Sequence, residues 1–596
     1  MSSLKDLASL IMIPSLVKDG RLDTVKPLGN SIIHPDATGN NDGTDGSTPA
    51  EGNFTFTRGS NLSATRVDAS QLIEKGRENN YLYSQQLDNN VWAKAKGSIT
   101  ANATTAPNST LTADLFTEDT TNGSHDIRQV FSSTSGAVYT TSIYIKANGR
   151  SILTAFAAGP SKSVTFNLST ESASGNAISQ KIEAAGNGWY RCSFSVQTVS
   201  TALNVIWILN NGSTSYQGDG VSGMYFWGAQ LEQGLVATPY IETGASTAQA
   251  GILENTPRLD YSGGATCPSL LLEPSRTNLI PQSEYFNSSY WIKSGSPTVS
   301  VSDNAGISPE GVSNATRFVA ASAQQSTRLY TSVTWTAVPY TLSLYVKNNG
   351  GTNTNLRFSY YDSTGQYFSP TFTLTDEWQR IEYTFTPTAS SGGFWIVNTP
   401  TGGLNLDLLA FAAQLEVGSY ATSYIPTYGV SQTRAQDNCS NLSLTTSTDF
   451  TIFFEAKDFC LINGSTGGSY DNVQFVFSPS GGPYDGGGSY HIYGNSLYYY
   501  NGSTNTSFGL IYNNQTDSKF ALVKRGNQGI LYANGVKKTE LTLPSGADAK
   551  VINWDAINLT SSLTDGQGDV FGSKYQQLLK FDTALSDVEL ASLTTI

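Results

Sequence analysis

The chain has 596 residues, of which only 14% are charged, with 34 Lys and Arg against 47 Asp and Glu and a net charge of −13. That length allows three or four domains. The charge excludes the basic footprint with which nucleic-acid binders neutralise phosphate, and no apolar run is long enough for a membrane-spanning helix. Gly, Ser, Thr and Asn abound beside 31 Tyr and 26 Phe, the composition of short strands joined by tight turns. The expected fold class is mainly β: several β-sandwich or jelly-roll domains in tandem, preceded by a short N-terminal helix.

Leu4, Leu7, Ala8 and Ile11 fall at i, i+3, i+4 and i+7, which predicts a helix within residues 1–20, capped by Ser2 or Ser3 and limited by Pro14. A helix so short must bury its apolar face on something. Leu4, Leu7, Ile11 and Leu16 are therefore candidate anchoring residues within an attachment segment, residues 1–50. The apolar run from Leu10 to Ile13 is too short for a signal peptide. Residues 35–52 place Asn40, Asp42, Thr44 and Glu51 near calcium-loop positions, but Asp45 stands where the turn glycine belongs; the segment reads as a solvated loop. Phe54 and Phe56 alternate with Thr55 and Thr57, a half-buried strand, in an extended connector over 51–80.

A domain-sized repeat follows. Tyr225 to Thr243 reads YFWGAQLEQGLVATPYIET, and Leu409 to Thr427 reads LAFAAQLEVGSYATSYIPT. Upstream, Trp92 matches Trp291, Ser142-Ile143-Tyr144-Ile145-Lys146 matches Ser343-Leu344-Tyr345-Val346-Lys347, and Trp189-Tyr190-Arg191 matches Trp378-Gln379-Arg380. Residues 81–244 and 278–428 are thus expected to be two sandwiches of one topology, with connectors at 245–277 and 429–445. Two copies are too few for a solenoid and read as beads on a string. The recurring tryptophans read as core. Whether the copies bind ligand or act as spacers is open from sequence.

The last segment, 446–596, changes character. Phe450 to Glu455 suits a buried strand. Lys519 to Glu540 reads as three strands joined by Gly526-Asn527 and Asn534-Gly535 turns, the latter a strong hairpin signal because both residues need positive φ. A strand at Gln577 to Phe581 precedes a short helix with a Ser586/Glu589 capping box.

Catalytic signals are poor. His34, His125 and His491 make no metal-binding pair, there is no nucleophile elbow or phosphate loop, and no metal or cofactor is expected. The cysteines, Cys192, Cys267, Cys439 and Cys460, form no C-x-x-C pair and read as thiols, a Cys439–Cys460 bridge being the least implausible disulfide. Glycoside hydrolysis needs two facing carboxylates, and Glu455 with Asp458 would lie on opposite strand faces. Sugar sites pair aromatic rings with amides; the densest such set is Tyr490, Tyr493, Tyr498, Tyr500, Asn501, Asn505 and Asn513, with Tyr499 on the opposite strand face from Tyr498 and Tyr500.

DFTIFFEAKD, ALVKRGNQGILYANGVKK and LLKFDTALSDVELASL resemble a concanavalin A-like, laminin-G-type jelly roll. Leu7-Ala8-Ser9-Leu10 with Ile13-Pro14-Ser15 and Gly20-Arg21-Leu22, Phe54-Thr55-Phe56-Thr57-Arg58 with Ala64-Thr65-Arg66-Val67, Pro268 to Pro274 with Arg276-Thr277-Asn278-Leu279, and Tyr420 to Thr427 through Thr433-Arg434-Ala435 resemble tailed-bacteriophage structural proteins. The two resemblances imply a virion fibre, with duplicated carbohydrate-binding-module-like sandwiches, that adheres to host surface glycans. They imply N-terminal contact with other virion proteins, homo-oligomerisation with a trimer as one form, synthesis in the host cytoplasm, no membrane insertion and no enzymatic activity. A purely structural capsid- or tail-attached component and a polysaccharide-degrading tailspike are the alternatives.

Overall fold

A computed structural model describes Ala8 and residues 10–18, 21–28, 31–33, 55–253, 256–324, 326–400, 402–440, 444–445, 449–457, 473–478, 489–493, 496–500, 503–510, 518–543, 553–554, 556–558 and 573–595. The chain is mainly β, in tandem sandwiches.

The first sandwich stacks two six-stranded antiparallel sheets. One runs Gly97–Thr104, Ala113–Glu118, Gly223–Gln233, Val138–Asn148, Trp189–Gln197, Ser179–Gly186; the other Ala93–Ala95, Asp126–Ser132, Ala202–Asn210, Ile152–Ala158, Lys162–Asn167, Ser172–Gly175. Period-two alternation builds the core: Cys192, Phe194 and Val196 face Leu203, Val205, Trp207 and Leu209 across the sheets. The second sandwich keeps this order with one edge strand fewer per sheet: Ser300–Gly306, Ala315–Ala323, Leu404–Val417, Tyr340–Asn348, Gln379–Phe385 and Ile292–Ser294, Arg328–Thr334, Ser391–Asn398, Ser359–Asp362, Gly365–Phe368.

The duplication holds at the level of atoms. Trp92 Nε1 donates to the Tyr83 carbonyl at 3.1 Å, and Trp291 Nε1 to that of Gln282 at 3.0 Å. Asn79 Nδ2 donates to the carbonyls of Ala229 and Ile241, and Asn278 Nδ2 to those of Ala413 and Ile425. Glu232 accepts from the Thr238 amide and hydroxyl, as Glu416 does from Thr422. Gln230 Oε1 accepts from the Ile241 amide and Gln414 Oε1 from that of Ile425, both at 2.7 Å. The two Ala-Gln-Leu-Glu segments are therefore clamps that pin the returning chain to its sheet. Each lies beside a bulge, with positive φ at Gly228 and at Ala412.

The C-terminal sheets face each other with Phe450 against Tyr490 and Phe508 where a side chain on Gly529 would sit. The hairpins form as expected: Ser518–Arg525, Gln528–Ala533 and Val536–Thr542 pair in sequence, Asn534 and Gly535 both have positive φ, and the capping box starts the helix Asp587–Thr594.

Two expectations need correction. Residues 10–18 form a strand, Leu10–Lys18, where the helix was expected; the apolar pattern of Leu10, Ile11 and Met12 serves a sheet, with Ile11 opposite both Val25 and Leu579. Nor is the chain a string of beads. Ser573–Phe581 pairs on one side with Phe450–Lys457, and on the other with Leu10–Met12 and Leu270–Leu272 end to end. The N-terminal segment and the second connector are strands of the C-terminal sheet.

Candidate functional site

The three connectors converge. Thr55–Thr57 pairs with Asn438–Ser440, Thr65–Val67 with Ile73–Lys75, Arg77–Asn79 with Ala248–Ala250, and Arg276–Asn278 with Gln432–Arg434. Buried ion pairs lock them together. Arg58 Nη1 lies 3.3 Å from Asp437, Arg258 reaches both Asp437 and Glu273, and Arg434 Nη1 lies 2.9 Å from Glu273. Glu273 also accepts from the Ser423 amide at 2.6 Å. Burial alone would raise its pKa, but Arg434, Arg258 and these hydrogen bonds hold it well below the usual carboxylate range. Such a network leaves little freedom between modules, because stranding any one buried charge is costly.

On this frame sits a cleft of about 510 Å³, within the range of small-ligand sites. Its floor is the outward face of the second sandwich, where Tyr345 and Arg380 are paired across adjacent strands. The guanidinium lies 5.5 Å from the tyrosine ring centroid and donates to Ser343 Oγ at 2.9 Å. Glu382 stands one strand period beyond, its side chain 44% exposed to the cleft; partial desolvation there pushes its carboxyl up, against the pull of Arg380. Arg66, Asp260, Ser262 and Lys574 form the facing wall. Each cation here has a carboxylate neighbour: Arg66 with Glu74 at 2.7 Å, Lys574 with Asp260 at 3.3 Å, Arg380 with Glu382 at 3.7 Å. The cleft thus offers an aromatic ring, planar hydrogen-bonding groups and little net charge. That chemistry suits a neutral polyhydroxylated ligand.

The first copy builds the same corner, with Arg191 over Tyr144 and donating to Ser142 Oγ. There Tyr240 packs on Trp227 with ring centroids 4.7 Å apart, and Trp189 and Trp227 donate to Thr105 and Thr112.

The residues named from sequence are dispersed. Tyr490 is buried against Tyr499 and Phe508. Tyr498 and Tyr500 are half-buried on the face opposite Tyr499, and Asn505 is exposed. The side chain of Tyr493, and Asn501 and Asn513, lie outside the described residues. So do Leu4, Leu7 and the loop 35–52, while Ile11 and Leu16 are on the first strand, their side chains undescribed. Cys460 and Asp458 are outside too; Glu455 pairs with Lys519. Trp92, Trp189 and Trp291 are buried and Trp378 half-buried beneath Lys347. Among the described residues no His, Cys, Asp and Glu cluster suits a metal ion. Tyr345 and Arg380 lie in repeated motifs that read only as framework; Glu382, Asp260 and Lys574 come from segments far apart, and no local pattern joins them.

No protein-family model and no curated protein matches the chain. Among solved structures it is similar to the CBM40 module of a Ruminococcus gnavus sialidase bound to α2,3-sialyllactose, at 18% identity, over 25% of this chain and 84% of that one, with a TM-score of 0.20. It is also similar to the tandem CBM22 domains of Paenibacillus barcinonensis Xyn10C, at 12% identity, over 57% of this chain and 98% of that one, with a TM-score of 0.21. A third is domain 4 of the Geobacillus stearothermophilus arabinanase AbnA with arabinotriose, at 14% identity, over 27% and 73%, with a TM-score of 0.21.

Proposed function

We propose that the chain is a non-catalytic glycan-binding protein of a tailed-phage virion, a fibre or receptor-binding component carrying a concanavalin A-like C-terminal domain. The observation that carries the binding reading is the cleft on the second sandwich, where Tyr345, Arg380 and Glu382 face Asp260 and Lys574. Sugars need this combination: a ring for the C–H face and planar polar groups for the hydroxyls. The virion setting is supported by the connector motifs. Host adhesion would draw on several copies, since linking sites raises avidity by about 10²–10⁴ without new contacts. The structural-component alternative is favoured by one feature: the N-terminal strands are occupied in the C-terminal sheet.

The test is binding of the intact, multimerised protein to an array of host and plant oligosaccharides, with reducing-end release measured in parallel. The expected result is retention on a neutral oligosaccharide, lowered at least tenfold by Glu382→Gln and by Arg66→Ala, without release of reducing ends. Absence of binding to any glycan supports the structural component; reducing-end release supports the tailspike.

A further inference from the structure

The opposite face of the second sandwich carries a different chemistry. Its sheet, Ile292–Ser294, Arg328–Thr334, Ser391–Asn398, Ser359–Asp362 and Gly365–Phe368, turns Leu329, Phe394 and Phe358 inward. Outward, two rows cross the strands. Arg328 stands opposite Asn398, whose Oδ1 accepts from Arg357 Nε at 2.5 Å on the other side. In the next row Tyr330 pairs with Trp395, Trp395 with Ser359, and Ser359 with Phe368. Tyr361 follows beside Gly393.

The arginines lie on the rings. The Arg328 guanidinium is 4.5 Å from the Trp395 centroid and 5.3 Å from that of Tyr330, and the Arg357 guanidinium is 3.8 Å from that of Phe368. Neither has a carboxylate partner among the described residues, although ten other arginines do. In a chain of net charge −13 this is an uncompensated cationic pair. Arg328 Nε and Trp395 Nε1 are moreover buried without a hydrogen-bond acceptor, and Trp395 is only 6% exposed. Ser332 and Gln366 are exposed and Phe368 is 42% exposed, so the face meets solvent. The fold does not require these residues. The matching face of the first copy has Ile206, Ile208, Phe156 and Val130, and its arginine, Arg128, is paired with Asp126.

We infer that this face binds an acidic polysaccharide, with Arg328 and Arg357 holding sugar carboxylates and Tyr330, Tyr361 and Phe368 supporting the rings. Guanidinium–carboxylate pairs are charge-assisted and bidentate, and aromatic faces supply the apolar contact. Single-stranded nucleic acid also uses arginine and stacking, but along a positively charged groove that tracks the phosphates, and this face supplies two arginines rather than such a groove. The site deepens the glycan-binding reading while using none of the cleft residues.

Intact protein would be titrated at low salt against polygalacturonate, alginate and polysialic acid, their esterified or amidated forms, dextran sulfate and an oligothymidylate. Expected is binding to at least one carboxylated polymer, at least tenfold weaker once its carboxyls are masked. Arg328→Gln with Arg357→Gln should lower affinity at least tenfold with an unchanged melting curve, while Glu382→Gln leaves it intact. If the double variant fails to fold, Phe368→Ala at the exposed edge gives the same readout. Binding to none of the three polymers, equal binding to dextran sulfate or to masked polymer, tighter binding of the oligonucleotide, or full affinity in these variants would overturn the inference. Loss of neutral-sugar binding alone in Glu382→Gln bears only on the cleft.

Discussion

At the scale of single residues, the repeated asparagine does more than its neighbours. Asn278 donates to two carbonyls and accepts from the amides of Ile280 and Leu415, and Asn79 repeats all four contacts with Ala229, Ile241, Tyr81 and Leu231. Removing it strands buried backbone groups, each costing about 1–3 kcal/mol. Asn278→Ala is expected to destabilise the second sandwich by roughly 3 kcal/mol or more, read as faster amide exchange across 404–427 while the first sandwich is unchanged; Asn79→Ala should do the converse. A urea midpoint for the whole chain would blur this, because several modules unfold together. The Ala-Gln-Leu-Glu repeat was visible in sequence because both copies keep it. The asparagine's role was not, because Asn79 and Asn278 lie over 130 residues from their carbonyl partners.

At the scale of elements, the connectors are tied by charge. Glu273 is depressed in the folded state, so its contribution to stability is full above its ordinary value of 4.5 and is lost as pH falls through the depressed value. Acidification from pH 5 should therefore loosen the connectors before the sandwich cores. Limited proteolysis at 254–276 and 429–440 should rise on the acid side, while segments inside the cores stay protected. Glu273→Gln leaves Arg434 and Arg258 without their shared carboxylate, a loss of about 3–5 kcal/mol for a broken buried pair; cleavage should then be raised already at neutral pH and depend less on acid. Equal resistance of the variant and the parent at pH 7 would count against the lock. Strand segments such as Thr55–Thr57 were legible from alternation. The lock was not, since Arg58 and Asp437 are 379 positions apart and a lone arginine in a loop has no local signature.

At the scale of the whole molecule, the chain closes on itself. The C-terminal hairpins and capping box were readable because their signals are local: Asn-Gly at a turn, and serine three residues before glutamate. The closure was hidden because a strand does not state its partner, and the pattern of Leu4, Leu7, Ala8 and Ile11 fits a helix as readily as Leu10 to Met12 fit a sheet. Residues 446–596 on their own are therefore expected to lack part of their sheet. Without the N-terminal strands and Ser269–Leu272, Ser573–Phe581 loses the neighbouring strands opposite Ser573–Tyr575 and Leu578–Lys580. An uncovered apolar edge of this kind recruits other chains. The isolated segment should be aggregation-prone, and supplying residues 1–33 in fusion should raise its monomeric fraction. Size-exclusion chromatography with light scattering distinguishes the cases. A monodisperse, cooperatively melting 446–596 would show that the borrowed strands decorate the domain and do not complete it.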